Sequence, residues 1–83
     1  MGRREDLLAR LQTKPRDFRW QEFTTLMKCL GYQRVGKQPG SARRFFRPAT
    51  NSKILIHEPH PGNTLKAYQV QEVLNKLHEE GEI

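Results

Sequence analysis

Cysteine is nearly absent: Cys29 is the only one in 83 residues. No internal disulfide and no cysteine-based zinc site can form, and the expected setting is a reducing compartment, the cytoplasm. Long apolar stretches are missing too. No run approaches the ~18 residues that suggest a membrane span, so no membrane partner is expected. Met1–Arg10 is mostly charged and lacks the apolar region of a signal peptide. Internal repeats and low-complexity segments do not occur. The length suits one small domain with a thin stability margin and excludes a full Rossmann fold or a TIM barrel.

Acidic residues are scarce where basic ones gather. The net charge is +6, unevenly spread. Residues 1–47 carry twelve basic and four acidic side chains, a net +8, whereas residues 48–83 carry three basic and five acidic ones, a net −2. From Arg34 to Arg47 there are five basic residues and no acid. Such a cluster attracts polyanions through counterion release. Charge alone leaves a solvated basic face equally open.

Periodicity divides the chain into short elements. Leu7, Leu8 and Leu11 share a face of a short helix over Arg4–Leu11, which Pro15 limits. Trp20, Phe23, Leu26, Met27 and Leu30 form one stripe of a helix over Trp20–Leu30, and Gly31 follows as its C-cap. Tyr32–Val35 reads as a short strand. Arg43–Arg47 and Lys53–His57 form the best strand pair, joined by a turn-rich Pro48-Ala49-Thr50-Asn51-Ser52. Alternation sends Ile54 and Ile56 to one face and Leu55 to the other, and separates Phe45 from Phe46 and from Arg44. After a Pro- and Gly-bearing loop, Val70, Val73, Leu74 and Leu77 mark a helix from about Leu65 to Glu80. The order predicts an α+β fold, a three-stranded antiparallel sheet with helices on one face. Its expected core includes Trp20, Phe23, Leu26, Leu30, Ile54, Ile56, Val70, Val73 and Leu77. Residues 1–16 are expected to be a helical extension docked on a domain spanning 17–83.

Few residues suggest chemistry. His57-Glu58-Pro59-His60 spaces its histidines by three and contains a helix-breaking proline, so it is not the helical zinc motif. Two histidines leave a zinc site short of ligands, and neither metal nor cofactor is expected. Ser41 has no neighbouring base in sequence. The remaining constellation is Gly40-Ser41-Ala42-Arg43-Arg44-Phe45, where a flexible loop enters a strand. Arg43, Arg44, Arg47 and Lys53 are suited to neutralising phosphates, with Ser41 beside them. His57 and His60 follow the facing strand and are suited to proton transfer. A hairpin with exposed charges would have the same spacing.

In this order the motifs resemble the HicA family, the toxin half of HicA–HicB toxin–antitoxin pairs. The resemblance rests on Leu30-Gly31-Tyr32 at a helix end, Gly40-Ser41-Ala42-Arg43-Arg44-Phe45 at a strand start, Pro59-His60-Pro61 in a loop, and a closing helix. It covers about Asp17–Ile83, and Arg3–Lys14 looks like an extra N-terminal helix found in one branch. It implies a small double-stranded-RNA-binding-domain-like fold, αβββα. The implied activity is metal-independent endonucleolytic cleavage of mRNA, blocked by a HicB-like antitoxin, with the chain a monomer when free or a hetero-oligomer with that antitoxin. A histidine of such enzymes acts on the ribose 2′-OH, and an imidazole has both proton states near neutrality.

One position departs from the family. The resemblance places the catalytic histidine at Ala42, and a methyl group transfers no proton. Either the chain is a natural member that uses another residue or has lost activity, or Ala42 is a deliberate inactivating change. The second is favoured, since a toxic ribonuclease is hard to produce in a growing host. His60 and His57 are then the candidate proton carriers, and the chain is expected to be inactive or weak as written; the alternative is a non-catalytic RNA-binding or protein-interaction module with the same fold.

Overall fold

The computed structural model describes residues 2–36, 40–59 and 62–83. Helix α1 spans Arg3–Gln12, α2 Trp20–Cys29 and α3 Ala67–Glu79; the strands are β1 Gln33–Arg34, β2 Ala42–Arg47 and β3 Ser52–His57. The sheet is antiparallel in the order β1-β2-β3. The chain therefore has an α+β fold of the double-stranded-RNA-binding-domain type, αβββα, with an additional N-terminal helix. Among the described residues no helix is long and apolar enough to cross a membrane.

Local chemistry sets the ends of the helices. At the start of α2, the Glu22 carboxylate accepts the Arg19 N–H at 2.9 Å, and the Trp20 N–H donates to the Asn63 carbonyl at 2.6 Å. At its end Gly31 takes φ +92°, a conformation that costs glycine little. The chain folds back so that the Tyr32 N–H bonds the Met27 carbonyl, closing a Schellman turn. Helix α3 repeats the device: Gly81 has φ +77°, and the Glu82 N–H bonds the Leu77 carbonyl at 2.9 Å. These two turns aim Tyr32 and Glu80–Glu82 at the hairpin.

Helix α3 begins two residues later than its apolar periodicity suggests. Leu65 is buried, but its backbone is extended and donates to the Phe18 carbonyl at 2.8 Å, beside a bridge between Arg19 and Thr64. An apolar residue next to a helical stripe looks helical in sequence; here pairing to the segment before α2 holds it extended. Strand β1 is likewise shorter than Tyr32–Val35, because Tyr32 is consumed by the Schellman turn.

All nine expected core residues are buried, and Phe18, Met27, Tyr32, Phe45, Leu65 and Leu74 join them. Leu7, Leu8 and Leu11 of α1 belong to the same cluster. Phe45 meets Phe23 edge-on, with centroids 5.4 Å apart and planes at 90°, a favoured aromatic geometry.

A polar clasp closes the other end of the hairpin. Glu80 accepts hydrogen bonds from the hydroxyls of Tyr32 and Ser52, from Thr50 at 3.2 Å and from Arg47 at 2.9 Å. The second guanidinium nitrogen of Arg47 meets Glu82 at 2.9 Å, and Arg4 reaches Glu82 from α1. The side chains of Arg47 and Glu80 are only 14% and 9% exposed. Burial pushes the Glu80 carboxyl up, but its bonds from Ser52, Tyr32, Arg47 and Thr50 outweigh this and hold it below the usual carboxylate range. Glu82 is held low in the same way, burial being outweighed by Arg47 and Arg4. Burial, helped by Glu80, pushes the Tyr32 phenol up to about 12.

Carboxyls held low when folded stabilise the protein above their unfolded pKa of ~4.3, and that contribution is lost as pH falls through the lower folded values. The urea midpoint should therefore fall in mild acid, and Glu80→Gln should flatten that fall. Arg47→Met strands two carboxylates beside a buried site and should cost about 3–5 kcal/mol. In the core, Leu26→Ala should cost ~2–5 kcal/mol, read from the same denaturation curves.

Candidate nucleic-acid interface

Strand β2 carries three arginines in six residues, and the pleat divides them. Phe45 pairs with Ile54, Arg43 with Ile56 and Arg47 with Ser52, all on the helix side of the sheet. The open side carries Ala42 opposite His57, Arg44 opposite Leu55, and Phe46 opposite Lys53. None of these six is acidic. Arg44, Lys53 and His57 are exposed, and Leu55 is 59% exposed among them.

Ion pairing separates the cations further. Arg43 meets Glu58 at 3.2 Å and donates to the carbonyls of Gly40 and Ala42 at 3.0 and 2.8 Å. It thus pins the turn that enters β2. Arg47 is committed to Glu80 and Glu82. Neither Arg44 nor Lys53 forms an ion pair among the described residues. Two of the four cations singled out in the sequence therefore stand on the open face, and two work inside the protein.

Ala42 and His57 are close for a reason of ladder geometry. The Glu58 N–H donates to the Ser41 carbonyl at 2.8 Å, so the Ala42–His57 pair is a non-hydrogen-bonded one. Facing Cβ atoms in such a pair lie ~4.5–5.5 Å apart, the closer of the two spacings. The Ser41 hydroxyl lies 3.3 Å from Nδ1 of His57. A serine, an imidazole and a methyl group are thus gathered at the end of the hairpin. Beside them a hollow of about 240 Å³ is lined by Gly40, Ser41, Arg43, Glu58 and Pro59. His60 lies outside the described residues. Among the described residues no three His, Cys, Asp or Glu side chains gather as metal ligands would.

Sequence reading missed two members of this region. By sequence Glu58 is a loop residue between histidines, yet it neutralises Arg43. Alternation turns Leu55 away from the core but does not reveal that it is left exposed. An acid one residue past the strand that pairs with the basic one is the available signal for the first.

The family model described as "HicA toxin of bacterial toxin-antitoxin" matches residues 20–78, from the first residue of α2 to the penultimate residue of α3. A search of curated proteins and a search of solved structures find no match.

The division of the cations has a measurable consequence. Binding of a single-stranded oligonucleotide should weaken with salt, with a slope of about −0.7 in log affinity per phosphate contact. Arg44→Ala with Lys53→Ala should make that slope shallower by about two such contacts and leave the unfolding midpoint unchanged. An affinity that is flat in salt, or unmoved by the double substitution, would show that this face does not bind phosphates.

Proposed function

Because the chain belongs to the HicA toxin family, the toxin half of a bacterial toxin–antitoxin system, we propose that it is a cytoplasmic endoribonuclease of mRNA whose catalysis is weak or absent while Ala42 stands in place of the catalytic histidine. Residues 17–83 supply the catalytic fold and residues 1–16 the helical extension. The observation that carries the reading is the placement of Ala42: on the open face of the sheet, next to Arg44 in the pleat and directly across from His57.

RNA lying on that face sets a phosphate near Arg44 and Lys53, with Ser41 beside residue 42, while Arg43 and Arg47, paired to Glu58 and to Glu80 and Glu82, hold the strand that presents them. A base near residue 42 takes the proton of a ribose 2′-OH. The freed oxygen attacks the adjacent phosphorus, and the bond to the 5′ oxygen breaks as that oxygen gains a proton. The products are a 2′,3′-cyclic phosphate and a 5′-hydroxyl. Arg44 and Lys53 offset the charge that grows on the phosphoryl oxygens. Ala42 has no atom to take the first proton. The His57 imidazole is the nearest substitute, with Ser41 engaging Nδ1 and leaving Nε2 for the substrate; His60 is the second candidate. The same missing base favours one other reading, an RNA-binding module that no longer cleaves. The protein partner is a HicB-like antitoxin.

Ala42→His should restore growth arrest and mRNA decay and raise cleavage by about 10²–10⁴-fold, the usual worth of a positioned acid or base. Cleavage should persist in EDTA and leave cyclic phosphate ends. If the protein with Ala42 is already a fast ribonuclease and the histidine adds nothing, position 42 is not the catalytic one. Loss of cleavage in His57→Gln would then assign the role to His57. If Ala42→His binds RNA without cleaving it, the binding-module reading stands.

A further inference from the structure

The outer edge of β3 is open at Lys53 and Leu55. Register and pleat send the N–H and C=O of Ser52, Ile54 and Ile56 to β2 and those of Lys53, Leu55 and His57 outward. The His57 carbonyl is capped by the Gln69 side-chain amide at 2.8 Å. Among the described residues nothing bonds the outward backbone groups of Lys53 and Leu55. Natural proteins blunt such edges or use them, because an open ladder templates another strand.

Beside this edge runs a groove of about 340 Å³ between β3 and α3. Ile54, Ile56 and Val73 line it, and Glu72, Lys76 and Glu79 are its charged residues on α3. With Lys53 on the strand side, two acids and two bases line the groove around an apolar floor, so it offers no net positive charge to hold a phosphate chain. A polypeptide in extended form fits it. We propose that β3 is the docking edge for an extended segment of the protein partner, pairing by backbone hydrogen bonds along Lys53–His57. This rests on the toxin–antitoxin reading for the existence of that partner, not for the geometry.

The pleat dictates what the segment must look like. Side chains that point to the helix side enter the groove and meet Ile54, Ile56 and Val73, so they are apolar. Alternate side chains lie on the open face, one strand spacing of ~4.8 Å from Lys53, Leu55 and His57. There the nearest charges are basic, so these side chains are acidic. The segment alternates apolar and acidic residues. Once in place it extends the sheet and sets carboxylates beside the cations that would hold a phosphate, which is a direct route to inhibition. A second copy of this chain is a poor occupant, because each copy carries +6 and an antiparallel pairing of two β3 edges brings Lys53 against His57.

The test uses a capped eight-residue peptide alternating Val and Glu, titrated at millimolar concentration into the isotope-labelled full chain. At saturation the amides of Lys53 and Leu55 should exchange at least tenfold more slowly, and a Val–Lys peptide should bind at least tenfold more weakly. Leu55→Pro removes an outward N–H that the fold does not use and should weaken peptide binding at least tenfold. If that variant unfolds, the exchange measurement on the unaltered chain decides. No binding, unchanged exchange at Lys53 and Leu55, or equal binding of the Val–Lys peptide overturns the proposal. Cleavage by the Ala42→His variant is scored separately, so failure of the ribonuclease reading and failure of this one give different results.

Discussion

Phe45 sets the rest of the hairpin. Its ring is held between Phe23 and the Trp20 side of α2, with centroids 5.4 and 6.2 Å away. A strand whose central residue is locked into a core has one permitted register, because a slip by one residue would turn every side chain to the other face. From that single constraint the arrangement of β2 follows. Arg43 and Arg47 must share the side of Phe45, and Ala42, Arg44 and Phe46 must share the opposite side. The packing of an aromatic ring thus decides which arginines can meet a ligand.

The two arginines turned inward are not wasted charge. A guanidinium on the helix side of a sheet needs acceptors, since an unpaired buried cation is costly. Arg43 finds Glu58 and the turn carbonyls, and Arg47 finds Glu80 and Glu82. The partners of Arg47 are delivered by the Schellman turn at Gly81, and Tyr32, which shares Glu80, is delivered by the one at Gly31. Two glycine-capped helix ends therefore meet at one ion cluster, which ties α1, α3 and the hairpin turn together. The network is built from polar groups at the edge of a core too small to be generous with apolar area.

The open face is what remains when those demands are met. It carries cations without partners among the described residues, an exposed leucine and no acid. At position 42, directly opposite His57, it carries only a methyl group. The free edge of β3 adjoins the same face, so an added strand there and an RNA on the sheet would compete for one surface.

Much of this was legible in the chain itself. The stripe of Trp20, Phe23, Leu26 and Leu30 and that of Val70, Val73 and Leu77 specify helices, because a 3.6-residue period has no other efficient burial. Alternation through Ile54-Leu55-Ile56 specified the strand and its inner face, and Leu30-Gly31-Tyr32 with the Gly40–Phe45 segment carried the family resemblance. The basic run from Arg34 to Arg47 was equally plain, but its division was not. Which arginines pair inward depends on Glu58, Glu80 and Glu82, residues 15, 33 and 35 positions away from Arg43 or Arg47, and only folding brings them within 4 Å. Leu65 shows the same limit in the backbone: its local pattern is helical, and a bond to Phe18 holds it extended. Periodic burial is a local property of a sequence, whereas partnership between charges and the exposure of an edge are properties of the assembled chain.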